Sequence, residues 1–221
     1  MAGLLNMGFM ALIIIPLRLL ALVVHECSHG YISTKLGDPT PRLRGRLTLN
    51  PLAHLDFMGT LLMVLTGFGW ARPVEINPGY YKDRKKGTAL VAFAGPLSNF
   101  LLAFLSLIIY GIIYVIFYYL KAPDTAYDYA EMICGYSARI NLCFMVFNLI
   151  PIPPLDGSRI LGMFLSNRTY YKFMEYERYS LILIMVLSLS GAFSSIIGNG
   201  VLFFYGFMAD FVNSVIINII R

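Results

Sequence analysis

The sequence predicts a mainly α-helical, polytopic membrane protein with about five transmembrane helices, a small membrane-associated β element and a re-entrant segment after the first helix. Three observations lead there. Of 221 residues, 58% are hydrophobic and 13% charged, and the mean hydropathy is +0.70, a composition that a soluble core with one anchor does not reach. About five apolar runs are long enough to cross a bilayer core of about 30 Å at about 1.5 Å per residue. Between the first two runs the text turns to Pro, Gly and alternating residues, the pattern of short extended segments. The net charge of +5 then reads as a membrane face and not as a nucleic-acid surface. Cys27, Cys134 and Cys143 are odd in number and lie in or near apolar runs, which argues against a disulfide framework.

The first run, residues 4–24, has neither the charged start nor the cleavage site of a signal peptide. Arg18 interrupts it and reads as a buried packing charge. The run leads into His25-Glu26-Cys27-Ser28-His29. Two histidines four residues apart on a helix share a face, so both imidazoles reach one metal ion. Glu26 lies one step round, where it can act on a water. Zinc suits two nitrogen ligands with a position left open for water. A polar group in mid-span costs about 2.5–3.5 kcal/mol, and two of the chain's three histidines stand here, so a metal site outweighs a structural pair. Cys27 is two residues from each histidine and, on a helix, faces away from both.

After Gly30, residues 44–49 alternate like a strand, residues 57–68 form an apolar stretch too short to span, and residues 69–76 read as a loop entering a second short strand. Residues 82–86 are a charged, headgroup-facing run. The second span, 88–120, carries Ala94-Gly95-Pro96 and Asn99. Gly95 permits close helix approach, Pro96 frees a carbonyl, and Asn99 needs a partner inside the bundle. A polar loop, 121–131, precedes the third span, 132–152, which holds Arg139 and runs into Asn148-Leu149-Ile150-Pro151-Ile152-Pro153-Pro154-Leu155-Asp156-Gly157. Its prolines rule out a regular helix. Asp156 on this braced segment is either a functional acid at membrane depth or a turn acid at the interface. Residues 157–178 read as loop or surface helix, and two last spans, 179–197 and 201–220, hinge at Gly198-Asn199-Gly200. Asp210 in the last reads equally as a packing group. His54 reads as a loop histidine at the interface, with substrate hydrogen bonding or alternative metal ligation as the other readings.

Together these pieces resemble the site-2 protease family of intramembrane zinc metalloproteases. The matching residues are His25-Glu26-Cys27-Ser28-His29, the stretch from Ala94-Gly95-Pro96 to Asn99, and Asn148, Pro151, Pro154, Asp156 and Gly157 at their spacing. The resemblance implies that His25, His29 and Asp156 bind Zn2+, that Glu26 is the catalytic base and that Asn148 assists the reaction. It implies a zinc-dependent intramembrane endopeptidase that cuts single-pass or peptide transmembrane substrates in the lipid bilayer, as in regulated intramembrane proteolysis. The chain is similar to the short form: residues 157–179 leave no room for a PDZ domain, and no nucleotide-binding domain is visible. Residues 1–160 then form the protease core, and residues 161–221 a cytoplasmic connector with a C-terminal helical hairpin.

An unwound substrate needs an edge to lie on, and residues 44–49 and 73–76 are the candidates. Neither nucleic acid nor nucleotide is expected as a partner, and no G-x-x-x-x-G-K-[ST] phosphate loop occurs. A transporter or channel lined by the same polar residues is the alternative from another class, but no related halves are visible. An inactive membrane scaffold is the third reading, which the intact motif opposes. On this topology the loop lysines and arginines from Lys35 to Arg178, with Arg221, share one face and Lys121 stands alone on the other. The positive-inside rule makes the crowded face cytoplasmic, with the site in the cytoplasmic half of the cell membrane.

Overall fold

The computed structural model describes residues 2–56, 58, 59 and 72–221. It is mainly helical, and four of the described helices are long and apolar enough to cross a membrane. Helix α1, Ala2–Lys35, contains the His25–His29 motif well before its end. Gly37 takes φ +100 to leave the helix, a conformation that costs glycine nothing. Asp38 then ties the exit down. Its carboxylate accepts from Ser33 Oγ (2.7 Å), from the Thr40 amide (2.9 Å) and from the Asn77 amide (2.7 Å). Burial pushes the Asp38 carboxyl up, but these hydrogen bonds from Thr40, Asn77 and Ser33 outweigh it and hold the group below the usual carboxylate range.

Helix α2, Arg84–Leu120, is capped by Asp83, whose side chain accepts from the Lys86 amide, and ends where Lys121 turns left-handed at φ 52. Helix α3, Asp124–Leu149, follows almost at once, so most of the expected 121–131 loop is helix. A proline-braced turn with a cis Pro153–Pro154 bond leads to α4, Asp156–Gly162. Three helices complete the chain: α5, Asn167–Met174, α6, Glu177–Leu189, and α7, Ala192–Ile220.

Two expectations are corrected here. The pair of final spans hinged at residues 198–200 is not formed. Gly191, at φ 76, makes the break instead, and Gly198-Asn199-Gly200 lies inside α7. Gly200 is needed there for contact: a Cβ on it would lie 2.9 Å from Val146 Cγ1 of α3. Helix α6 has 13 residues, about 20 Å at 1.5 Å per residue, and is too short for a fifth span. The expected β element is likewise not found. Among the described residues there is no sheet, only an isolated bridge at Leu55. Residues 44–49 alternate, but Gly45 turns at φ 64 and the Arg46 amide folds back to the Pro41 carbonyl (2.9 Å). The Thr48 carbonyl is taken by Cys27 Sγ (2.9 Å) and His54 Nε2 (2.8 Å). The expected re-entrant stretch, 57–68, lies outside the described residues apart from Met58 and Gly59.

The main core is built by α2, α3 and α7, through Ala103, Leu107, Ala138, Leu142, Met208 and Val212 among others. The pairings set directions. Phe100 meets Phe204, Phe104 meets Phe211, and Tyr119 reaches the Ile219 carbonyl, so α7 runs parallel to α2. With α2 starting at the charged end of the bundle, Arg221 emerges at the opposite end, beside Lys121, and leaves the crowded basic face to which a five-span count assigns it. In a background with Cys27, Cys134 and Cys143 replaced, a cysteine at Arg221 should label from the same side as one at Asp124, and one at Lys85 from the other. Labelling of Arg221→Cys together with Lys85→Cys would restore the fifth span.

Candidate metal centre

His25 and His29 face α2, and α2 makes room for them at Gly95. A Cβ there would lie 2.5 Å from His25 Cε1 and 2.6 Å from His29 Nε2, so no larger residue fits without moving an imidazole. The third member arrives from across the chain. The turn after α3 places Asp156 at the first position of α4, and Gly157 allows it, since a Cβ there would meet the Leu149 carbonyl oxygen at 2.3 Å. His25 Nε2 and His29 Nε2 are 3.0 Å apart, and each lies 3.2 or 3.3 Å from Asp156 Oδ2.

Hydrogen bonds on the far side of each ring decide where the protons are. His29 Nδ1 is 2.7 Å from the Val91 carbonyl, which only accepts, so Nδ1 carries the proton. His25 Nδ1 is 2.6 Å from Asn99 Oδ1. Asn99 cannot be turned over, because its Nδ2 donates to the Ala21 carbonyl (3.1 Å) and to Asn141 Oδ1 (2.9 Å), and Asn141 Nδ2 donates in turn to the Ser137 carbonyl (2.8 Å). In their neutral forms both rings then leave Nε2 free to bind a metal. Asp156 Oδ2 is buried with no hydrogen-bond partner among the described residues. The three donor atoms converge on one point, where all of them can share a cation. Their spacing is close to the about 3.3 Å between corners of a tetrahedron with bonds of about 2.0–2.1 Å to zinc. The residues fit that ion, and they form the His/His/Asp group among the described residues whose donor atoms lie within 4.8 Å of one another.

Glu26 stands beside the cluster and not in it. Its Oε2 accepts from the Val74 amide at 2.9 Å. Val74 belongs to a non-helical stretch fastened by the Arg72 amide to the His54 carbonyl (2.8 Å), by Glu75 to Arg44 (3.2 Å) and by the Asn77 amide to Asp38. Val74 also packs on α1, where a Cβ at Gly30 would lie 3.1 Å from its Cγ1. Cys27 points away from the imidazoles, toward the Thr48 carbonyl and His54 Nε2 (3.7 Å). His54 is fully buried and not part of the metal group. Asn148 donates to the Phe144 carbonyl of its own helix (3.0 Å), with no hydrogen bond to the cluster among the described residues.

The sequence profile of peptidase family M50 matches residues 11–192. The chain belongs to peptidase family M50. This is the site-2 protease family that the motifs resemble. The Bacillus subtilis protein named "Putative zinc metalloprotease YwhC" is 36% identical over 188 residues, covering 79% of this chain and 80% of that protein. The Mycolicibacterium smegmatis protein named "Putative zinc metalloprotease Rip2" is 28% identical over 180 residues, covering 79% of this chain and 65% of its own length. One from Methanocaldococcus jannaschii, named "Putative zinc metalloprotease MJ0611", is 33% identical over 106 residues, 47% of this chain. No solved structure matches.

What sequence reasoning missed in this M50 site is its outer layer. Asn99 reads only as a buried polar group wanting a partner, and Val91, Asn141 and Ser137 carry no signal. Outer-layer partners of a metal-bound imidazole change affinity by about 10–100-fold. Asn99→Ala should therefore weaken zinc binding by about that factor, measured by competition with a chromogenic chelator. Unchanged affinity would separate Asn99 from the site.

Proposed function

We propose that this M50 zinc-dependent protease hydrolyses peptide bonds of transmembrane substrates within the bilayer, with His25, His29 and Asp156 holding the ion and Glu26 as base. The observation that carries the reading is the convergence of His25 Nε2, His29 Nε2 and Asp156 Oδ2 within 3.0–3.3 Å of one another, a donor set and spacing that suit zinc. Three protein ligands leave a fourth position for solvent or substrate. Zinc bound there supplies Lewis acidity, lowering the pKa of a water toward neutrality and drawing charge from a carbonyl oxygen. Glu26 takes the proton of the attacking water and returns it to the leaving amine. The Val74 amide holds one Glu26 oxygen and leaves the other for that transfer. Asn148 enters as a supporting group, its amide turning from the Phe144 carbonyl to the substrate oxyanion.

A substrate helix hides its peptide bonds and must unwind before attack. The extended residues 73–76 support an unwound peptide beside Glu26; residues 44–49, which turn back on themselves, do not. Depth also supports the reading. Val91, which anchors His29, is seven residues into α2 from Arg84, about 10 Å along the helix axis. The ion then sits a short way under the basic face, which the positive-inside rule makes cytoplasmic. The cell membrane is the proposed location.

Four substitutions test the roles. Glu26→Gln should lower cleavage of a model transmembrane substrate by about 10²–10⁴-fold with zinc content unchanged, whereas Asp156→Ala should release most of the zinc; full activity in the first would sink the mechanism. Val74→Pro removes the amide that orients Glu26 and should cost roughly tenfold or more in kcat, with Val74→Ala close to wild type. Equal rates for the two Val74 variants would show that the amide plays no part.

A further inference from the structure

We propose that a cavity between the start of α2 and the pair α4–α5 is a binding site for a phosphate group at the membrane surface, held by Lys85 and Arg159. The cavity has a volume of about 460 Å³, and its wall includes Asp83, Arg84, Lys85, Arg159, Asn167 and Tyr170. None of His25, His29, Asp156 and Glu26 lines it, so the proposal does not depend on the protease reading.

Three cations from two separate elements converge on this space. None of Arg84, Lys85 and Arg159 pairs with a carboxylate among the described residues. The one acid on the wall, Asp83, is already engaged: its Oδ1 accepts from the Lys86 amide (3.0 Å) and its Oδ2 lies 3.9 Å from Lys86 Nζ. Lys85 and Arg159 are half-buried. Lys85 Nζ donates one proton to the Leu165 carbonyl, which leaves two for a ligand. Arg159 and Tyr170 share the cavity wall. Burial pushes the Tyr170 phenol up, and the guanidinium pulls it part of the way back.

The walls are set by packing. Tyr170 lies on Gly162, where a Cβ would meet its Cε2 at 2.4 Å, and α5 is capped by Ser166. A guanidinium fork beside an ammonium matches the oxygens of a phosphate. The place matches too, because α2 begins here at the charged end of a helix long and apolar enough to cross a membrane, the end that a lipid headgroup would meet. The volume admits a phosphodiester headgroup with its acyl chains left in the bilayer, or a free phosphate. Arg159 is also one turn from Asp156 on the two-turn α4, so the same grip steadies the helix that presents the acid.

The test uses the full chain in phosphatidylcholine nanodiscs. One arm adds phosphatidylglycerol and reads lipid retained per chain by native mass spectrometry; the other adds inorganic phosphate and reads binding by equilibrium dialysis. Binding in the first arm identifies a lipid headgroup as the source, and binding in the second a free anion. In whichever arm binds, Arg159→Gln and Lys85→Gln should each lower occupancy at least tenfold, Arg159→Lys should fall between, and Lys82→Gln, outside the cavity, should match wild type. Helicity by circular dichroism checks the fold, and Lys85→Gln, in the first turn of α2, keeps the test sound if an Arg159 variant misfolds. Binding in neither arm, or equal binding by Lys85→Gln and wild type, would overturn the proposal.

Discussion

Three lone pairs aimed at one point in an apolar interior need a positive charge between them. His25 Nε2, His29 Nε2 and Asp156 Oδ2 are within 3.0–3.3 Å of each other, and the rest of the fold is arranged to keep them there. Asn99 and the Val91 carbonyl hold the protons on the outer nitrogens. Gly95 removes the one Cβ that would displace both rings. The prolines after α3 carry the chain to Asp156 without a helix that would swing it away. A cation bound there would tie α1 to α4, because His25 and His29 come from the first and Asp156 from the second.

The second constraint is that an acid must stand beside this cluster without joining it. Glu26 is adjacent to His25 in sequence, yet its carboxylate is drawn to the Val74 amide. That amide is where it is because residues 72–77 are fastened at several points to the loop after α1. Asp38 is the most connected of the fasteners, with three hydrogen bonds to its carboxylate. A charged group outside the spans thus helps to set the direction of one inside.

Local features were legible in the sequence and distant ones were not. The two histidines share a face because helical periodicity is local, and Asp156 stood out because prolines and an acid at the end of an apolar run are unusual together. Asn99 showed its need for a partner but not that the partner is His25, 74 residues away. At the C-terminal end, Gly191 and Gly198-Asn199-Gly200 are equivalent as punctuation. Packing against Val146 favours continuous helix at the second and leaves the break to the first, and four candidate spans remain among the described residues. Residues 44–49 carry the alternation of a strand, but a strand also needs a neighbour, none is seen among the described residues, and the Thr48 carbonyl is taken by side chains.

The chain of amides behind His25 has a chemical consequence for how the bundle moves. Asn99 presents its oxygen to the ring because its nitrogen is held by the Ala21 carbonyl of α1 and by Asn141 on α3. If the helices shift enough to break both contacts, the amide is free to rotate and offer N–H to Nδ1. The imidazole must then accept there and carry its proton on Nε2, the atom that faces Asp156. A displacement of helices is thereby converted into a change of tautomer, and a ligand is withdrawn with hardly any movement of the ring itself.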